Sequence, residues 1–317
     1  MNNQHGARAF LSGLIDYAGL FPPAALPLGP ALAEYARLRA GPGAWMLGRF
    51  IISAARLEAL AGALATDPSL RGGQSWGLTV LAGAPDLAAA LTGLPAQADA
   101  IVACEQSGPG GLAVEALELV LPAKSGAALA LAEALADEGL SGRDLFLEVG
   151  GDVEAALDGI AAAAAVWSGP SGAFPKLGAK LRCGGGVADA FPSTARVAAV
   201  IGGATQRGLP LKFTAGLHHP VRHLAAEPAV MMHGFLNVVG AAVLAAGGNN
   251  DAAVLLGCLE ETNPAAFRLD QGGFAWLDHA VAAADVRAAR ASVVGGFGSC
   301  SFDEPRQDLA ALGLLPE

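Results

Sequence analysis

Eight short apolar runs punctuate this chain, at residues 14–18, 46–53, 76–82, 115–121, 145–149, 179–183, 211–216 and 293–300. Each is too short for a core helix, and turn-forming residues flank several of them, so they are read as buried strands. The segments between them, 29–39, 54–64, 85–94, 126–136, 153–166, 193–206 and 229–244, are rich in Ala and Leu, residues of high helix propensity. Eight strands alternating with helices predict an α/β fold, a single (β/α)8 TIM-type barrel domain over residues 1–317. Residues 250–291 form an insertion before the last strand, with a helix over 251–261, a strand over 267–270 and a second helix over 278–291. An extra strand is predicted over 99–106. The competing architecture, an open doubly wound sheet, lacks its G-x-G-x-x-G after the first strand.

Side chains two apart on a strand share a face. By that parity Asp16, Arg49, Glu118, Glu148, Lys180, Arg182 and Lys212 turn inward, where the C-terminal strand ends of a barrel build its active site. Such a ring has two readings. Structural ion pairs would fill it with mutual contacts. A wet, functional mouth would hold the same ionisable groups for chemistry, since burying charge without compensation is costly.

Only four lysines occur, against fifteen arginines, and Lys180 and Lys212 occupy matching places in successive strands 32 residues apart. Burial beside a second cation lowers a lysine pKa toward a nucleophilic amine. A neutral amine attacks a carbonyl to give a Schiff base, an electron sink for making or breaking a C–C bond. Glu118, Glu148 and Asp16 are the proton-transfer residues in that scheme, and Arg49 and Arg182 bind a substrate anion. The alternative is that either lysine holds an anion as a point charge.

Lys212-Phe213-Thr214-Ala215-Gly216 reads K-x-T-x-G, and Lys180 precedes Gly184-Gly185. On these motifs the chain resembles the deoxyribose-phosphate aldolase group of class I aldolases. The resemblance implies that one strand lysine forms the imine, that its neighbour on the next strand depresses its pKa, and that an Asp assists proton transfer. It covers about 40 residues.

Four of the six histidines fall within residues 218–233. Set after the Lys212 strand, His218, His219 and His233 suit Zn²⁺ or Mn²⁺ in a metal-dependent hydrolase, lyase or isomerase. They equally suit acid-base work or structural roles. The imine reading needs no cofactor. Gly295, Gly296, Gly298 and Ser299, with Thr214, are expected to bind substrate, the glycines as a turn that lets backbone amides approach phosphate. Gly184-Gly185-Gly186 is a second such loop. Cys183 and Cys300 adjoin the expected mouth, Cys183 with the parity of a packed hydrophobe.

Composition narrows the partners. Hydrophobic residues make up 53% and charged residues 15%, which promises a large core. A net charge of −10 and no basic run argue against nucleic acid. Residues 230–247 are the most membrane-like, yet His233 and Asn237 within them favour a buried helix, so no membrane partner is expected. Four scattered cysteines and no leader segment fit a cytoplasmic protein. The expectation is an enzyme for a small anionic carbonyl compound, a phosphorylated one included, with lyase or aldolase chemistry. A non-catalytic ligand-binding protein is the third reading, and a homo-oligomer is compatible with all three.

Overall fold

A computed structural model of the chain describes residues 4–71, 75–107, 111–169, 172–227 and 229–315. The first half runs α1 (Gln4–Leu11), β1 (Ile15–Tyr17), α2 (Leu28–Ala40), β2 (Leu47–Ser53), α3 (Leu57–Thr66), β3 (Trp76–Ala82), α4 (Leu87–Gln106), β4 (Leu112–Val120), α5 (Ala127–Asp137) and β5 (Asp144–Glu148). There follow α6 (Val153–Trp167), β6 (Leu177–Arg182), α7 (Thr194–Gln206), β7 (Leu211–Thr214), β8 (His223–Leu224), β9 (Met231–Met232), α8 (Phe235–Ala246) and α9 (Ala252–Glu260). The chain continues through β10 (Phe267–Asp270), β11 (Gly273–Trp276), β12 (His279–Ala282), α10 (Ala283–Ser292), β13 (Val294–Ser299) and α11 (Asp303–Ala311). Eight parallel strands close a barrel in the order β1-β13-β7-β6-β5-β4-β3-β2. The TIM-type α/β fold predicted from the alternation is the fold adopted.

By internal contacts the chain groups into two compact units. One comprises Tyr17–Gly41 and Gly48–Lys180; the other comprises Met1–Asp16, Pro42–Leu47 and Leu181–Glu317. In the first, Phe50, Leu78, Leu117, Leu145 and Leu177 are buried on β2 to β6. Tyr17, Tyr35, Phe50 and Trp76 pack ring against ring with centroids 4.8–6.0 Å apart. Residues 99–106, expected as a strand, are instead the second half of α4, which continues through Pro95. Its buried positions Leu87, Ala90, Leu94, Ala98, Ile101 and Cys104 keep one helical stripe on both sides of the proline. Glu105 then fastens that end, accepting from the Val114 amide at 2.8 Å and pairing with Arg143 at 2.6 Å. By length and composition α4 is apolar enough to cross a membrane, but this one-sided burial is that of a packed helix.

In the second unit α8 is buried from Phe235 to Ala245. Its polar Asn237 is fully satisfied: it accepts from the Arg222 amide at 2.8 Å and donates to the Cys258 and Glu261 carbonyls at 2.7 and 2.8 Å. The helix starts six residues later than residue 229, because Met231–Met232 pair with His223–Leu224 as a short ribbon. The insertion holds a three-stranded antiparallel sheet, β10-β11-β12, where the sequence predicts one strand and a helix starting at residue 278. Trp276 pairs with His279 across a two-residue turn, and α10 begins only at Ala283. Phe10 of α1 stacks on Phe274 of β11 at 4.9 Å.

Candidate active site

Glu148 closes β5 and lies opposite Lys180 in the register of β5 with β6. Glu118 lies opposite Phe146 in the register of β4 with β5, two residues before Glu148 on β5. A register shift in β4 leaves Glu115 as an extra residue between Val114 and Ala116. Beyond that shift Glu118 is buried, as are its neighbours Leu117 and Leu119. The Lys180 Nζ is 2.8 Å from Glu118 and 2.9 Å from Glu148. Burial by itself would push the Lys180 amine toward neutrality, but the charges of Glu118 and Glu148, and the hydrogen bonds to both, outweigh it. The pKa ends above its ordinary value. This corrects the expectation of a depressed pKa: the sequence shows the neighbouring cations, whereas strand register supplies two acids. Glu148, at 17% side-chain exposure against 1% for Glu118, is the member of the trio open to exchange.

A second amine-acid pair forms in the other unit. The Lys212 Nζ of β7 donates to the Asp16 Oδ2 of β1 at 2.5 Å, with both side chains almost wholly excluded from solvent. Thr214 ends β7, and its carbonyl accepts from the Cys183 amide at 2.8 Å. The next residue, Ala215, has φ +59°, a conformation that costs a side chain of order 1 kcal/mol. Strain of this kind gathers at functional strand ends. Arg182 is exposed at the C-terminal end of β6, with Nη1 3.5 Å from the Gly184 carbonyl.

Arg49 is not at this end of the sheet. It sits early in β2 and pairs with Glu115 at 2.8 Å and with Asp144, the first residue of β5, at 3.3 Å. Four residues of strand, about 13 Å, separate Asp144 from Glu148. Parity selects a face for Arg49 and gives no height along it, so its expected contact with a substrate anion is replaced by a structural ion-pair network.

The glycines of the last strand also have a different setting. Gly295, Gly296, Gly298 and Ser299 all lie within β13 rather than in a turn beyond it. Val294 pairs with Leu211 but Phe297 with Phe213, so Gly295-Gly296 is a bulge, with Gly296 at φ +103°. A Cβ on Gly296 would meet the Leu14 carbonyl at 2.5 Å. These glycines serve strand packing. Gly184 likewise faces Gly216: a Cβ on either would come within 2.8 Å of the other's Cα. Ser299 is buried at the end of β13, its Oγ accepting from the Ser301 amide at 3.3 Å.

The histidines divide. His218 Nδ1 lies 3.0 Å from Glu304, and His219 Nδ1 lies 2.6 Å from Asp308 with His223 edge-on to it at 4.5 Å. Glu304 and Asp308, one turn apart on α11, are not among the residues that parity selects; their i, i+4 spacing after the last strand is the signal that could have found them. His233 belongs to neither contact. Its Nε2–H donates to the Pro192 carbonyl at 2.7 Å, while Nδ1 accepts from Arg222 at 3.4 Å. A carbonyl only accepts and a guanidinium only donates, so the ring is the neutral tautomer with both nitrogens engaged. Burial, with Arg222 adding to it, holds its pKa below the usual histidine value against the pull of the Pro192 bond. Among the described residues no group of three or more His, Cys, Asp or Glu side chains is arranged to hold a metal ion. Burial raises the Cys183 thiol far above the range of a nucleophile, consistent with a packed hydrophobe.

A scan against protein-family models finds no match for the chain, and a search of curated proteins finds none either.

Proposed function

We propose that this barrel is an enzyme for a small anionic carbonyl compound, working through a lysine Schiff base in lyase or aldolase chemistry. The observation that carries the reading is the buried Lys212–Asp16 pair at 2.5 Å, an amine already in contact with the base that removes its proton. Each carboxylate beside an ammonium favours its charged form. Lys212 has Asp16 within salt-bridge distance, whereas Lys180 has both Glu118 and Glu148. Lys212 is taken as the nucleophile because it touches an Asp, the proton-transfer residue that the resemblance implies, whereas the acids around Lys180 hold that side chain as an ammonium.

The chemistry follows from that division. Asp16 takes a proton from the Lys212 ammonium, and the freed amine adds to the substrate carbonyl carbon. Loss of water leaves a protonated imine that accepts electrons from the adjacent C–C or C–H bond. Arg182, exposed at the end of β6, is the residue for the substrate anion. Lysines on two successive strands are among the features on which the chain resembles the deoxyribose-phosphate aldolase group, and the imine, the neighbouring cation and the proton-transfer Asp are what that resemblance implies.

Borohydride reduction in the presence of pyruvate, acetaldehyde or a triose phosphate tests the reading. The expected outcome is a stable mass adduct on the peptide bearing Lys212, lost in Lys212→Met and slowed in Asp16→Asn. Absence of an adduct on any lysine with every probe would remove the imine from consideration.

A further inference from the structure

Away from the strand ends that carry these amines, α1 and α10 frame an open groove of about 490 Å³ lined by Arg8, Ala9, Ser12, Arg287, Arg290 and Ala291. Three of the fifteen arginines converge here in a chain of net charge −10, and among the described residues no carboxylate lines the groove. Helical spacing accounts for the convergence: Ser12, just past the end of α1, follows Arg8 by one turn with its amide on the Arg8 carbonyl, and Arg287, Arg290 and Ala291 share a face of α10. Among the described residues neither Arg8 nor Arg287 forms an ion pair. The Arg8 guanidinium carbon instead sits over the Trp45 ring, 4.7 Å from its centroid, a contact that uses the face of the cation and leaves N–H donors for another acceptor. Arg290 is the anchored member. It donates to the backbone carbonyls of Val294 and of Ser12, both neutral, and its Nε is buried without a hydrogen-bond partner.

We infer that this groove binds a small phosphate-bearing anion through Arg8, Arg287 and Arg290. Asp16 is the carboxylate whose charge acts on Arg290, which leaves Arg8 and Arg287 with N–H donors for an anion, and guanidinium groups match phosphate oxygens in pairs. The Ser12 hydroxyl, at the same groove, adds a neutral donor. Because Arg290 bonds to the first residue of β13 and to Ser12 ahead of β1, the site is at the N-terminal ends of those strands. Such a ligand acts as an effector or structural anion rather than as the reacting compound, so the groove stands or falls independently of the imine chemistry.

Calorimetric titration of the full chain with inorganic pyrophosphate, in wild type and in the Arg287→Gln, Arg8→Gln and Lys124→Gln variants, decides it. The expected result is one site per chain, weakened about tenfold or more by either arginine change and by added salt, as for loss of a charge-assisted contact. Lys124→Gln, outside the groove, should leave the affinity unchanged. Arg287 is exposed, so its variant reports binding even if Arg8→Gln perturbs the Trp45 stack and lowers the melting temperature. No binding heat with pyrophosphate at millimolar concentrations, or equal affinity in wild type and Arg287→Gln, overturns the assignment.

Discussion

Lys180 shows how a single residue's behaviour follows from its partners across the strands. Its pKa is raised on folding, so its contribution to stability is fully present below the ordinary value of 10.5 and is lost as pH rises through the folded value. Removing the charge of Glu148 lets the folded value fall back toward the ordinary one. Between pH 9 and pH 12, stability should therefore decline less steeply in Glu148→Gln than in wild type, by a difference on the order of 1 kcal/mol, read as melting temperatures across that range. An identical decline in both proteins would mean that Glu148 does not support the ammonium. Parity alone marks Lys180, Glu118 and Glu148 as interior, and the structure brings all three together. The same pattern carries no height along the strands and no choice of partner, which is why it groups Arg49 with them and passes over Glu115, Asp144, Glu304 and Asp308.

Whole elements are legible where one local pattern persists. Every barrel strand is visible as an apolar run with clear ends, and β3 at 76–82 has the predicted bounds. The failures have local causes. Leu277 takes φ +50° in the turn joining β11 to β12, and it carries none of the Asn-Gly or Asp-Gly chemistry by which a hairpin is usually recognised. Pro95 in α4 reads as a helix end because it removes a backbone donor, yet burial of Ala98, Ile101 and Cys104 carries the helix past it. The interior proline should be costly. Pro95→Ala is expected to stabilise the protein by about 1–2 kcal/mol, after allowing for the more flexible unfolded chain, and to raise the melting temperature by a few degrees. A lower melting temperature would show that Pro95 itself is needed to seat the second half of α4.

At the scale of the molecule, a barrel with a large apolar core keeps two lysines and the carboxylates of Asp16 and Glu118 almost out of water, in separate clusters, with Glu148 partly exposed. Deleting one member of such a cluster leaves its partner charged and buried, typically a loss of about 3–5 kcal/mol. Lys212→Met should lower the urea midpoint accordingly, and Lys212→Met combined with Asp16→Asn should recover most of the loss. If the double variant is no more stable than the single one, the contact between residues 16 and 212 contributes little to the fold. The 2.5 Å approach of Lys212 to Asp16 has a consequence for descent as well. A carboxylate and an amine in direct contact out of water constrain each other's replacement, so in related barrels a change at position 16 should tend to be matched by one at position 212.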